Sequence, residues 1–103
     1  MREKDTPAIE KQAALFSVLA DPTRLKLLKL LSRQKEPDAL CVNALAYRLG
    51  VTQSAVSQHL KILKSAGLVK GERRGYRIHY FISRKNLLRA QKQLSGALPV
   101  DEK

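Results

Sequence analysis

Thr52, Gln53, Ser54, Ser57, Gln58, Lys61 and Lys64 are the side chains of this sequence most suited to acting together on a ligand. They lie within Val51–Leu68, VTQSAVSQHLKILKSAGL, a stretch without an acidic residue. Wound at 3.6 residues per turn, Val56, Leu60 and Leu63 stack on one side and Ser54, Ser57, Lys61 and Lys64 on the other. Hydroxyls, amides and ammoniums match the donors and acceptors in the major groove of B-form DNA, which is wide enough for one α-helix. The lack of carboxylates avoids repelling phosphates, and the amino-terminal end of such a helix offers a positive dipole end with free amides. Taken alone, the same face also reads as a solvated surface that happens to carry no acid.

The surrounding charge decides between these readings. Lys and Arg number 20 against 9 Asp and Glu, a formal charge of +11. Between Ala39 and Val100 eleven basic residues accompany one acid, Glu72, whereas the first 38 residues hold eight bases and six acids. Such a one-sided field fits a polyanion, either nucleic acid or an anionic membrane surface. Arg73, Arg74, Tyr76 and Arg77 cluster at a turn just after the candidate reading helix, where a basic loop would lie along an adjacent minor groove or backbone. A membrane-surface protein would need bulky apolar residues exposed on a basic helix, but the apolar stripes here have partners in a core and a dimer seam. The uncharged run Ala13–Ala20 is too short to span a bilayer. Glu3, Asp5 and Glu10 are wrong for the basic start of a secretion signal. There is no Gly-rich phosphate loop and no nucleophile, base and orienting acid brought together by spacing. The expectation is therefore a binding protein, not an enzyme, with no cofactor and no metal.

The elements that must position these residues follow from caps and periods. One domain over residues 1–103 is expected, mainly α with a small β-hairpin (α+β): about five helices plus a two-stranded wing. Pro7 opens a first helix, about 8–20, with Ile9, Ala13, Phe16 and Leu19 or Ala20 on one stripe. Asp21-Pro22 restarts the chain, because Asp accepts from free first-turn amides and Pro fills a position needing no donor. Leu25, Leu28 and Leu31, with Leu27 and Leu30 beside them, form the centre of the core. A short third helix over ALCVNALAYRLG buries Leu45 and Leu49, with Asn43 as its cap and Gly50 at its left-handed end. Thr52 caps the next helix, which makes a helix-turn-helix. Tyr76, Ile78, Tyr80 and Ile82 alternate with Arg77, His79 and Phe81 as a half-buried strand, pairing with Leu68–Glu72 through a turn at Arg73–Gly75. Ser83 caps a last helix, about 84–98, whose stripe holds Leu87, Leu88, Leu94 and Leu98. Tyr47 and Phe16 read as packing residues. Stripes left over in the two end helices (Ile9, Ala13, Phe16, Leu87, Leu94, Leu98) suit a dimer interface.

LADPTRLKLLKLL, then LCVNALAYRLGVTQSAVSQHLKILKSAGLV, then RRGYRIHYFIS resembles the ArsR family, the arsenical-resistance-type repressors of prokaryotes, over about residues 13–82. The resemblance implies a homodimeric winged-helix repressor that binds double-stranded DNA and is released by a metal ion or another signal. It implies that Gln53, Ser54, Ser57, Gln58 and His59 sit at the DNA, with Arg73, Arg74 and Arg77 in the wing, and that the first and last helices pair. Two-fold symmetry then asks for an inverted-repeat operator. A basic winged-helix module that binds a protein partner, with weak or non-specific DNA contact, is the alternative function.

The metal pattern of that family is incomplete here. Cys41-Val42-Asn43-Ala44 stands where metal-sensing relatives often carry Cys-Val-Cys-Asp, and SRKNLLRAQKQLSGAL has neither His nor carboxylate. Soft metals want two or more thiolates and zinc four donors, so no metal site is expected. Cys41, the single cysteine, excludes an internal disulfide and fits a reducing cytoplasm. It reads either as a small buried hydrophobe or, at a helix amino terminus among basic residues, as a redox sensor. A small-molecule or redox effector remains open.

Overall fold

Asp21 makes the first corner of the chain. In the computed structural model, which describes residues 6–34 and 40–101, helix α1 (Thr6–Leu19) ends just before it and α2 (Pro22–Arg33) starts just after. The Asp21 carboxylate accepts from the backbone N–H groups of Thr23 at 2.8 Å and Arg24 at 3.1 Å, while Pro22 occupies the first turn. Strand β1 (Leu40–Cys41), α3 (Val42–Leu49), α4 (Gln53–Ser65), β2 (Val69–Arg74), β3 (Arg77–Ile82) and α5 (Arg84–Ala97) follow. Among the described residues, no helix is long and apolar enough to cross a membrane. This is a winged helix-turn-helix.

Only Gly50, Val51 and Thr52 separate α3 from α4. Gly50 takes φ 67°, a left-handed conformation that costs an L side chain but not glycine, and its N–H closes α3 by donating to the Ala46 and Tyr47 carbonyls. The Thr52 hydroxyl oxygen accepts from Ala55 N at 3.0 Å and starts α4. Two caps within three residues thus turn the chain sharply and fix the direction of α4.

The core is built by Leu27, Leu28 and Leu31 of α2, Leu45 and Ala46 of α3, and Val56, Leu60 and Leu63 of α4, closed by Leu68 and Val69. Leu15 of α1 and Ala90 of α5 complete it. Leu25 departs from expectation: it is 45% exposed, because the buried side of α2 centres on Leu27, Leu28 and Leu31 and leaves Leu25 rotated off it. Tyr47, expected to pack, is 89% exposed, since α3 turns Leu45 and Ala46 inward instead.

The end helices each carry two apolar sides. On α1, Leu15 is buried and Val18 and Leu19 pack on the core, whereas Ile9, Ala13 and Phe16 are exposed. On α5, Leu87 and Leu94, expected at the dimer seam, are half-buried against the chain's own core. Its outward apolar residues are Leu88 and Leu98. The Gln12 amide donates to the Gln93 carbonyl at 3.5 Å and links the two helices.

The sheet has strand order β1-β3-β2, all antiparallel. Pairing of β2 with β3 runs from Val69↔Ile82 to Arg74↔Arg77, two residues beyond the Glu72 limit expected, so the turn is Gly75-Tyr76. Gly75 has φ 65° and Tyr76 no positive φ, the sign pattern of a type II′ turn, which matches strand twist and lets the arginines pair. The expected alternation holds at the base, where Tyr80 and Ile82 pack on the core; Tyr76 is wholly exposed, and Phe81 is buried on the other face beneath the Arg74 guanidinium, 5.1 Å away. The short strand β1 adds a third member to the wing sheet through Leu40↔Tyr80 and Cys41↔His79. Gln34 holds it by accepting from Leu40 N at 3.0 Å and donating to the Tyr80 carbonyl. In consequence α3 begins at Val42, and Cys41 rather than Asn43 occupies the capping position, without a side-chain cap bond.

This packing has a direct consequence for stability. Leu60→Ala empties a site 1% exposed and is expected to cost about 3 kcal/mol, whereas Leu25→Ala should cost under about 1 kcal/mol; urea denaturation of the two variants measures both.

Candidate nucleic-acid interface

Because Val56, Leu60 and Leu63 are locked inside, α4 must turn its other side outward. Gln53, Ser54, Ser57, Gln58, Lys61 and Lys64 are all exposed, as is Thr52 at the cap. The amides of the first turn of α4 point along its axis into solvent, with one satisfied by Thr52. No acid occurs from Val51 to Gly71, so the outward row presents only hydroxyls, amides and ammoniums. Groups of these types are the ones that pair with base edges and phosphates in DNA grooves.

His59 differs from the rest of the set. It is half-buried, with Nδ1 3.3 Å from Arg24 Nη1 and 3.9 Å from Asp21 Oδ1. A guanidinium only donates, so the Arg24 contact uses Nδ1 as acceptor when the ring is neutral with its proton on Nε2, whereas a charged ring turns Nδ1–H to the Asp21 carboxylate instead. Arg24 also donates through Nε to the Val18 carbonyl at 2.6 Å and through Nη2 to the Ser17 carbonyl at 3.4 Å. One guanidinium therefore ties the last carbonyls of α1 to the middle of α4. The sequence reading missed Arg24; its signal was a basic residue in the first turn of a helix, where a dipole argument places acids.

The wing arginines spread in different directions. Arg73 is exposed, and Tyr76 stands fully in solvent at the tip. Arg74 covers Phe81, with Nε 3.6 Å from Glu72 Oε1. Arg77 leans back, its Nη1 3.8 Å from Cys41 Sγ. The structure thus gathers Arg73 and Tyr76 at the turn, while Arg74 and Arg77 flank it with their guanidiniums engaged on the sheet.

Cys41 is buried and sits at the amino terminus of α3. Its thiol is pulled below its ordinary value of 9.0, first by the backbone N–H of Ala44; burial opposes this, and Asn43 N–H and the Arg77 charge add to it. Across the sheet Cys41 lies opposite His79, and His79 opposite Glu72, so the three share one face. His79 Nδ1 is buried with no hydrogen-bond partner. Among the described residues no group of three or more His, Cys, Asp or Glu is assembled to hold a metal ion.

Two pH tests follow. The Asp21 carboxyl is held below 3.8, chiefly by the Arg24 backbone N–H, with burial opposing and His59 assisting. A lowered carboxyl stabilises the fold above its unfolded value and loses that contribution as pH falls through the folded value. Asp21→Ala should therefore lower Tm at pH 7, with the gap to the parent closing in acid below the lowered pKa, as a Tm-against-pH series would show. For Cys41 the stabilising contribution is complete above 9.0 and is lost as pH falls through the lowered thiol value. Arg77→Met should move the thiol titration, followed by thiolate absorbance, to higher pH.

The sequence profile of bacterial regulatory proteins of the arsR family matches residues 21–70. The chain is 38% identical over 89 residues to a protein described as a transcriptional repressor SmtB homolog from Synechocystis sp., an alignment covering 86% of this chain and 64% of that protein, so the chain spans under two thirds of that relative. It is similar to the solved ArsR-like transcriptional regulator from Rhodococcus sp., at 30% identity and TM-score 0.71, over 85% of this chain and 79% of that one. It is also similar to a homodimeric winged helix-turn-helix DNA-binding domain from Mycobacterium bovis, at 27% identity and TM-score 0.71, over 100% of this chain and 94% of that one.

Proposed function

Because the chain belongs to the arsR family of bacterial regulatory proteins, we propose that it acts as a homodimeric, sequence-specific transcriptional repressor that lays α4 in the major groove of an operator. The observation that carries this reading is the acid-free outward row of α4, held rigidly by the burial of Val56, Leu60 and Leu63 behind it. Gln53, Ser54, Ser57 and Gln58 read base edges or anchor the nearer phosphates, and Lys61 and Lys64 meet the groove wall. Thr52 contributes mainly as the cap that aims the helix, and His59 as the link to Arg24. Arg73 and Tyr76 carry the wing contact, and Arg74 and Arg77 supply charge from either side of the turn.

The dimer is proposed on apolar area. Ile9, Ala13 and Phe16 of α1 and Leu88 and Leu98 of α5 face outward on helices that already pack together, a surface a second copy would cover. Two-fold symmetry then sets the two α4 helices about one turn of DNA, roughly 34 Å, apart and calls for an inverted repeat. A partner other than metal is the expected inducer, because the thiolate and carboxylate sets of metal-sensing relatives are absent from the sequence. Cys41, with its lowered pKa, is a candidate redox-responsive thiol.

Duplexes selected from a random pool, then titrated by fluorescence anisotropy, test the assignment. Ser57→Ala and Gln58→Ala should each lose about tenfold on the selected duplex and little on a scrambled one, as expected for base contacts worth about 1–3 kcal/mol. Arg73→Ala should weaken both alike and reduce the salt slope by about 1. Equal losses of the α4 variants on both duplexes would overturn base reading, and failure to select any duplex would favour the protein-binding module.

A further inference from the structure

A cleft of about 560 Å³ runs between α1, the carboxyl-terminal half of α4, and α5. Its floor is apolar, formed by Leu15 and Val18 of α1 and by Ile62 and Ala66 at the end of α4. Ile62 is 39% exposed there, an apolar side chain on the otherwise polar free side of α4. Lys11 and Lys61 stand at the rim from two different helices, with Ser65 and Gln93 as neutral polar neighbours. No acid lines the cleft, and neither lysine takes part in an ion pair among the described residues.

The cleft is separate from the surface reserved for the second copy. Lys11, Ala14, Leu15 and Val18 recur at i, i+3, i+4 and i+7 along one side of α1, and Ile9, Ala13 and Phe16 along the other. At about 100° per residue the two stripes lie roughly opposite each other, so covering one leaves the other open. The volume falls within the range of small-molecule sites, about 300–1,000 Å³, and an apolar floor with a few convergent polar groups is the usual construction of such a site.

We propose that this cleft binds a small amphipathic monocarboxylic acid, its aromatic or branched body on the Leu15, Val18 and Ile62 floor and its carboxylate at Lys11 and Lys61, and that binding weakens DNA affinity. A neutral apolar compound would leave both ammoniums unused, and a compact polyanion would leave the floor uncovered. The second half of the proposal rests on the reading of α4 as the DNA-contacting helix, because Lys61 belongs to both surfaces. A carboxylate on Lys61 removes a charge offered to the groove wall and ties the end of α4 to α1. Linkage then requires DNA to weaken the acid by the same factor as the acid weakens DNA.

The experiment titrates the full chain, without DNA, with 2-naphthoate and 4-phenylbutyrate by calorimetry, alongside 2-naphthamide and 2-naphthylmethylamine. Binding of a carboxylate at least about tenfold tighter than of the amide or amine is expected, with Lys11→Met weakening it about tenfold and Ala14→Trp, which fills the cleft, abolishing it. Circular dichroism checks that Ala14→Trp remains folded; should it unfold, Val18→Met serves to narrow the floor. Absence of binding by both acids, equal binding of the amide, or indifference to Lys11→Met and to the cleft-filling variant would overturn the site. On the selected duplex, either acid should lower the affinity of the parent chain but leave Ala14→Trp at its own acid-free affinity. An unmoved duplex titration alongside confirmed acid binding would overturn the regulatory half alone. Failure of the chain to select any duplex would instead refute the DNA reading while the DNA-free titration still decides the cleft.

Discussion

Everything presented to solvent by α4 depends on what it hides. Val56, Leu60 and Leu63 are at most 1% exposed, and removing any of them from the interior would forfeit both transfer energy and packing. A helix fixed so firmly on one side has no freedom in which side it shows. The hydroxyls, amides and ammoniums of the opposite row are therefore pre-set, and a ligand meeting them need not supply the entropy of ordering the helix. The three-residue link from α3 adds direction to this rotation, since the left-handed Gly50 and the Thr52 cap allow α4 one exit angle.

The wing is built on a different principle. A two-stranded ribbon of this length is marginal alone, and here its base is held by Tyr80 and Ile82 on the core and by the third strand pairing at Leu40 and Cys41. Its far end rests on the ladder, on Arg74 over Phe81 and beside Glu72, and on Arg77 against Cys41. Helix α4 is thus the more deeply anchored part of the surface and the tip of the wing the less anchored part, a division that would suit base edges and phosphate backbone respectively under the function proposed above.

Much of this was legible in the sequence, for reasons of range. The helices, their caps at Asp21, Thr52 and Ser83, and the Gly50 turn are local features, each specified within four residues, and the family resemblance rested on the same segments. The buried and free sides of α4 followed from one period. Strand β1 was not legible because two residues have no period and their partners, His79 and Tyr80, lie far along the chain. The position of the wing turn shifted because Gly75 was read as the last turn residue when its positive φ makes it the first. Leu25 and Tyr47 were misplaced for another reason: in a helix rich in leucine, or one of two turns, several stripes satisfy the period, and only the neighbours choose among them. The role of Arg24 in holding His59 depended on three segments meeting and left no mark on any one of them.

That meeting has a mechanical meaning. Arg24 grips the final carbonyls of α1 and the ring of His59 with one planar group, while Asp21 beside it stitches the start of α2. Three helices meet at one joint, and a guanidinium bonded to two of them from the third favours their moving together. A tilt of the first helix, whether from association or from a guest wedged beneath it, would reach the fourth through this shared hinge pin.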